Sequence, residues 1–111
     1  MSQKSSLEES FATHGRIMFP NLPPPVRQHR PIEGRKWALD FSWPDQLLGV
    51  ELQGGSWSGG GHNRALGQAK DYEKANALTA AGWRCLFYST PMLKDMALVV
   101  EEVAQVLCRA S

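Results

Sequence analysis

Two carboxylates lie inside apolar stretches of this sequence. Asp40 belongs to the segment WALDFSW (37–43), and Glu51 belongs to LLGVEL (47–52). A charged group in an apolar strand costs free energy unless it is paired or bound to a metal. On neighbouring strands the two carboxylates could hold a hard divalent cation, because Mg²⁺ is typically bound by one or two carboxylates and keeps several waters. The alternative is that both carboxylates lie on exposed strand faces.

A glycine-rich loop follows the second carboxylate. Residues 54–61 read GGSWSGGG, and His62 comes next. So many glycines indicate a flexible loop, and we expect this loop to be functional. His62 could act as a general base or contact a phosphate, although a single histidine in a loop more often has no such role. Trp57 is the tryptophan that we consider for stacking on a DNA base, since Trp43 and Trp83 are expected in the core.

Basic residues are concentrated before the first carboxylate. The stretch 27–36 contains His29 and four cations, opposed only by Glu33. The four cations are Arg27, Arg30, Arg35 and Lys36. Such a stretch can bind phosphates, and the alternative is a solvated surface segment. The net charge of the chain is only +1, so composition alone does not indicate a nucleic-acid-binding protein.

Two adjacent strands would bring the carboxylates together. Alternation predicts a strand over 37–43, and the run 47–52 predicts a second strand. Pro44-Asp45 favours a turn, so the short link predicts an antiparallel hairpin with Asp40 and Glu51 on neighbouring strands. One face of the first strand is then formed by Trp37, Leu39, Phe41 and Trp43.

The ends of the chain are predicted to be helical. Ser5 or Ser6 can cap a short first helix, which we expect to end at Gly15. Residues 20–31 contain five prolines, which exclude a helix or a central strand and indicate an extended connection. The last helix has an apolar stripe composed of Met96, Val100, Val103 and Leu107, with Val99 and Val106 beside it.

A further helix and strand complete the core. Residues 64–81 predict a helix closed by Gly82 at the C-cap position, and 83–88 predict a buried strand. The order is helix, strand, strand, helix, strand, helix. Helices on both faces of a short mixed sheet would cover it, so the expected class is an α/β sandwich.

Size and composition agree with a globular domain. The chain has 111 residues, 42% of them hydrophobic and 21% charged, which fits a single domain over 1–111. Residues 1–34 would form the N-terminal helix and extended segment, and 35–111 the core. No apolar run reaches the roughly 18 residues of a membrane span, and no signal-peptide pattern opens the chain. We expect Cys85 and Cys108 to be buried thiols in a reducing cytoplasm.

Three segments together resemble a known superfamily. They are WALDFSWPDQLLGVELQGGSWSGGGH, KDYEKANALTAAGW and CLFYST, which span 37 to about 88. In order and spacing they are similar to the core of PD-(D/E)XK, restriction-endonuclease-like nucleases, especially the small phage and prophage endonuclease-like proteins. The resemblance implies a restriction-endonuclease-like α/β/α sandwich that hydrolyses DNA with Mg²⁺ or Mn²⁺.

The resemblance also implies roles for individual residues. Asp40 matches the metal-binding Asp of the family, Glu51 its acidic partner, and the backbone carbonyl of Leu52 a further ligand. Gln53 departs from the family motif, which has a catalytic lysine at that position. Some branches supply that lysine from the following helix, and Lys74 is our candidate.

Other candidates have weaker support. Lys70 is the second choice for the displaced lysine. Asp71 could join the metal site or pair with either lysine. In such folds the first helix often adds an acidic residue to the metal site, for which we choose Glu9 with Glu8 as the alternative. A carboxylate that favours the helix dipole is the other explanation for both glutamates.

The expected substrate is DNA, cut with structure-directed or weak sequence preference. Contacts to nucleic acid are assigned to Arg27, Arg30, Arg35, Lys36, Trp57, Arg64 and Lys70. RNA stays open as a substrate, and a homodimer or a protein partner for targeting is plausible. The alternatives to an enzyme are a non-catalytic nucleic-acid-binding module and a partner-dependent phage assembly or processing subunit. The expected location is the cytoplasm of a bacterial or phage-infected cell, without a membrane.

Overall fold

The computed structural model describes residues 3–53 and 64–109, which form a mixed α/β fold. In chain order the elements are α1 (Gln3–Met18), β1 (Val26–His29), β2 (Leu39–Trp43), β3 (Leu48–Gln53), α2 (Arg64–Ala80), β4 (Arg84–Ser89) and α3 (Met96–Cys108). Short 3₁₀ turns at Pro44–Gln46 and Met92–Lys94 precede β3 and α3. None of these described helices has both the length and the apolar character needed to cross a membrane.

The four described strands form one sheet in the order β1-β2-β3-β4. The β1–β2 and β2–β3 pairs are antiparallel, and the β3–β4 pair is parallel. The predicted hairpin is confirmed, with Phe41 opposite Val50 and Trp43 opposite Leu48. Helix α2 lies in the connection between β3 and β4, as a parallel pair requires a long crossover. The sheet is therefore mixed, as the sequence predicts.

A large apolar cluster joins β2, β3 and β4 to α1 and α3. Phe11 of α1 packs on Phe41 of β2, with ring centroids 4.5 Å apart. The predicted apolar stripe of α3 is buried in the same cluster. The buried members from α3 are Met96, Val99, Val100, Val103 and Leu107. Trp43 belongs to this cluster too, as expected for a core tryptophan.

A small apolar cluster lies on the α2 side. Its buried members are Leu39, Leu78 and Trp83. The prediction that Leu39 shares a face with Phe41 is therefore wrong, since Phe41 belongs to the large cluster. Regular β2–β3 pairing runs from Trp43 to Phe41, and side-chain alternation holds only while the pleat is regular. Leu39 lies beyond that stretch.

Gly49 of β3 allows this side to pack closely. A Cβ atom at Gly49 would lie 2.6 Å from Cδ1 of Leu39 and 3.3 Å from Sγ of Cys85.

Cys85 is half-buried, and burial raises the pKa of its thiol to about 11. Cys108 is exposed, so the prediction of a buried thiol is wrong there.

Two further predictions need correction near the N-terminus. The segment 20–31, predicted as an extended connection, contains β1, which lies at the sheet edge beyond the prolines of 20–25. An edge position is the one that a proline-rich segment can reach. Helix α1 begins at Gln3 and continues to Met18, so Gly15 does not end it, and Ser5 and Ser6 lie within it. By contrast, Gly82 follows α2 with φ +89°, as predicted for a C-cap glycine.

Candidate active site

The carboxylates of Asp40 and Glu51 lie together where β2 and β3 leave their regular pairing. Both residues are buried, with Asp40 2% and Glu51 7% exposed. The backbone N–H of Leu52 donates to Oδ2 of Asp40 at 2.7 Å, and the backbone N–H of Asp40 donates to Oε1 of Glu51 at 3.2 Å. Each carboxylate is therefore oriented through one oxygen by an amide of the opposite strand.

The second oxygen of each carboxylate contacts a lysine. Nζ of Lys74, on α2, donates to Oε2 of Glu51 at 3.0 Å. Nζ of Lys4, on α1, lies 3.2 Å from Oδ1 of Asp40. The side-chain amide of Gln28, on β1, is 3.5 Å from the same oxygen of Asp40. Two helices and three strands thus supply the groups that surround the carboxylate pair.

The environment of Glu51 opposes its ionisation. Burial raises the pKa of Glu51 above the ordinary carboxyl value, and Asp40 adds to the rise, whereas Lys74 lowers it without cancelling the effect of burial. A cation placed at this carboxylate favours the charged form for the same electrostatic reason that Lys74 does. A further positive charge beside Glu51 would therefore stabilise its ionised form.

The donor set fits a hard divalent cation. Among the described residues no group of three or more His, Cys, Asp or Glu side chains is arranged to hold a metal. The candidate ligands are the two carboxylates of Asp40 and Glu51. Two carboxylates are enough for Mg²⁺, which completes its coordination with water. The fit rests on two buried carboxylates that are each oriented by a backbone amide. The backbone carbonyl of Leu52 stays a predicted ligand.

The acidic residues of α1 bind Arg27. Nη1 of Arg27 lies 3.0 Å from Oε2 of Glu9, and Nη2 lies 3.2 Å from Oε1 of Glu8. The bond to Glu9, together with that to Glu8, raises the pKa of the Arg27 guanidinium. The structure does not group either glutamate with Asp40 and Glu51. This departs from the prediction of an acidic ligand from α1.

Lys4 is the α1 side chain at the carboxylate pair, and sequence reasoning missed it. Lys4 lies thirty-six positions before Asp40 in a polar segment, where a lysine is ordinarily solvated. Only the packing of α1 against the sheet, through Phe11 and Phe41, brings the start of the helix to Asp40. No local pattern in the sequence carries that information.

The structure separates the two candidate lysines of α2. Lys74 contacts Glu51 and has only 16% of its side chain exposed. Lys70, one turn earlier, is exposed, and Asp71 is half-buried. Lys74 is thus the α2 lysine that reaches the carboxylates, in agreement with the order in which the sequence ranked the two.

Two of the four cations in the stretch 27–36 are bound by other groups of the protein. Arg27 donates to Glu8 and Glu9, and its guanidinium lies 4.9 Å from the centre of the Phe41 ring. Arg35 pairs with Glu73 of α2 and lies over the ring of Trp37. Arg30 and Lys36 are exposed. Part of the basic stretch therefore forms ion pairs within the protein, with glutamates of α1 and α2.

Several predicted site residues lie outside what the structure describes. Trp57 and His62 fall in the segment 54–63. The side chains of Gln53 and Arg64 are not described either, although their backbones belong to β3 and α2. The assignments to these four residues stay predictions.

The chain was compared with family models, curated proteins and solved structures. No family model, no curated protein and no solved structure matches this chain.

Proposed function

We propose that this chain is a metal-dependent endonuclease that hydrolyses DNA phosphodiester bonds, built as a restriction-endonuclease-like sandwich. The observation that carries the proposal is the buried pair of Asp40 and Glu51 with Lys74 at 3.0 Å. The resemblance of residues 37–88 to PD-(D/E)XK nucleases supports it. The mixed four-stranded sheet with three helices is compatible with the α/β class that the proposal requires.

Asp40 and Glu51 would hold one or two Mg²⁺ ions, or Mn²⁺, through the oxygens that face the lysines. When bound, such an ion lowers the pKa of a water and polarises the scissile phosphate. The backbone amides of Leu52 and Asp40 keep the carboxylates oriented for this role. Preorganised ligands of this kind lose little free energy in rearranging during the reaction.

Lys74 would supply the positive charge that the family motif places at Gln53. Its ammonium lies 3.0 Å from Glu51 and is tethered by a helix rather than by β3. An ammonium at that position stabilises negative charge that develops on a phosphate in the transition state. His62, in the segment 54–63, is a candidate for proton transfer. Both roles require that the substrate phosphate reach the edge of the carboxylate pair.

Contacts to DNA would be made mainly through its phosphates. Arg30, Lys36 and Lys70 are exposed cations, and Trp57 and Arg64 are further candidates. Phosphate contacts carry little sequence information, so cleavage would be structure-directed or weakly specific. Recognition of a particular target would then come from a second copy of the chain or from a partner protein.

A second candidate function is a non-catalytic nucleic-acid-binding or assembly module on the same fold. One observation favours it: all four oxygens of Asp40 and Glu51 already accept or face protein donors. In that case the lysines and carboxylates would form a structural ion-pair network, and Gln53 would mark the loss of chemistry.

Cleavage of labelled DNA tests the proposal. Single-stranded, duplex and branched substrates are incubated with the protein in Mg²⁺, Mn²⁺ or EDTA, using wild type, Asp40→Asn, Glu51→Gln and Lys74→Met. The exposed Lys94 gives a matched control, Lys94→Met. We expect metal-dependent cutting that falls at least about 100-fold in the two carboxylate variants and about 100-fold in Lys74→Met, as for loss of one transition-state contact.

The two candidate functions give different outcomes. If Asp40→Asn and Glu51→Gln cut every substrate at the wild-type rate, the activity would belong to another site or to a contaminant. No cutting by wild type, together with salt-dependent DNA affinity, would favour the binding module.

A further inference from the structure

We infer that Lys4 is an internal counter-ion that competes with the divalent cation for Asp40 and is released when the metal binds. The inference rests on the proposed function, because it takes Asp40 and Glu51 to be the metal ligands. It adds a residue outside the segment 37–88 to the site. It also gives the first turn of α1 a role beyond packing.

Lys4 contacts the oxygen that a metal would use. Oδ2 of Asp40 accepts the Leu52 amide at 2.7 Å, so Oδ1 is the oxygen left for a further cation. That oxygen has the Lys4 ammonium at 3.2 Å and the Gln28 amide at 3.5 Å. A metal ion bound to Oδ1 and the Lys4 ammonium would repel each other at this distance.

The charges at the pair favour the release of one lysine. In the ionised forms that bind a metal, Asp40 and Glu51 carry two negative charges, which Lys4 and Lys74 balance. A divalent cation added to all four groups leaves an excess of two positive charges in a buried site. If one ammonium leaves, the excess is one charge, which the phosphodiester of a bound substrate would balance.

Lys4 is the lysine that can leave at the smaller cost. Its side chain is 40% exposed, whereas that of Lys74 is 16% exposed. Lys4 lies in the first turn of α1, and helix ends open more easily than helix interiors. The ammonium of Lys4 is partly exposed, so water can replace Asp40 as its partner, while the bound metal balances the charge of the buried Asp40. Lys74 stays beside Glu51, where burial makes an unpaired charge costly.

Calorimetric titration with Mn²⁺ alone, on the full chain, tests the competition. The variants are wild type, Lys4→Met, Asp40→Asn, Glu51→Gln and the control Lys94→Met. Lysine and methionine have similar helix propensity, so Lys4→Met should keep α1 intact. We expect Lys4→Met to bind Mn²⁺ about two- to fivefold more tightly, because the ion pair that opposes binding has a partly exposed lysine and contributes modestly. Lys94→Met should match wild type.

Hydrogen exchange gives a second readout that needs no activity. Metal binding and Lys4 release are linked, so Mn²⁺ should speed amide exchange in a peptide covering residues 3–9 of wild type. The same peptide of Lys4→Met should exchange equally fast with and without Mn²⁺. A general loosening of the protein would instead affect the buried residues of α3 as well.

The outcomes separate this inference from the function on which it rests. Unchanged or weaker Mn²⁺ binding by Lys4→Met, in a wild type that binds Mn²⁺ and cuts DNA, would overturn the inference and leave the nuclease standing. Absence of Mn²⁺ binding that depends on Asp40 and Glu51 in wild type would overturn both.

Discussion

The two faces of the sheet are built on different principles. The face covered by α1 and α3 holds a large apolar cluster with thirteen buried members, whereas the cluster that includes Leu78 of α2 has three. Next to the small cluster lie Asp40, Glu51 and Lys74, three charged groups that contribute no apolar burial. One face supplies most of the hydrophobic free energy of folding, and the other retains buried charges, which we propose serve catalysis.

The largest effect on stability is expected on the apolar face. Phe41→Ala removes a fully buried ring that packs against Phe11, and such truncations cost about 3–5 kcal/mol. Urea unfolding in EDTA measures the loss. A loss below about 1 kcal/mol would mean that this cluster is not the main source of stability.

A smaller loss is expected when the charged region is left unbalanced. Lys74→Met leaves Glu51 buried without its ammonium, which should cost roughly 2–4 kcal/mol at pH 7. Glu51→Gln in the Lys74→Met background should restore most of that loss, since no buried charge is left. The double-mutant cycle, measured by urea unfolding in EDTA, gives the coupling between the two residues.

The loss in Lys74→Met should also depend on pH. Burial raises the pKa of Glu51 in the folded protein, and without Lys74 the rise should be larger. A raised carboxyl pKa means that the folded state binds the proton more tightly than the unfolded state. The deficit of Lys74→Met should therefore be small below the unfolded-state pKa of about 4.3 and grow as the pH rises through the folded-state value. A deficit that is constant from pH 4 to pH 8 would contradict this account.

Close packing beside the charged groups predicts an intermediate effect. The added methyl of Gly49→Ala would lie 2.6 Å from Leu39, which should cost about 1–3 kcal/mol by overpacking. Leu39→Ala in the same chain removes the clashing atoms, so the two losses should be less than additive. Gly15→Ala is the matched control, because nothing lies within 4 Å of that position and alanine favours a helix. It should stabilise the protein by about 0.5–1 kcal/mol.

The smallest effect is expected at a polar contact on the apolar face. The hydroxyl of Tyr88 donates to Oε1 of Glu102 at 2.6 Å, and burial raises the pKa of this tyrosine. Tyr88→Phe should cost about 1 kcal/mol, since Glu102 is exposed and water can replace the donor. Thermal unfolding of the variant should show a correspondingly small shift, with cleavage unaffected.

The parts of the fold that depend on local pattern could be predicted. The hairpin followed from alternation and Pro44, and the stripe of α3 followed from helical periodicity. The adjacency of Asp40 and Glu51 followed from the hairpin, and the choice of Lys74 over Lys70 came from the resemblance.

The parts that depend on tertiary packing could not be predicted. Val26 and its neighbours form a strand because β2 offers an unpaired edge, not because of their own pattern. The change of face at Leu39 follows from side-chain bonds of Asp40 that replace regular pairing. Arg27 is expected to contact phosphates because it lies in a basic stretch, but α1 places two glutamates beside it. Lys4 reaches Asp40 through the same docking of α1.

The most direct test compares wild type with the double variant Glu51→Gln/Lys74→Met in Mg²⁺-dependent cleavage of DNA. The double variant replaces a buried ion pair with neutral groups of similar size, so it should unfold within about 1 kcal/mol of wild type or be more stable. We predict that it loses cleavage at least about 100-fold while keeping its fold. Cleavage at the wild-type rate by the folded double variant would contradict the claim that this region is retained for catalysis.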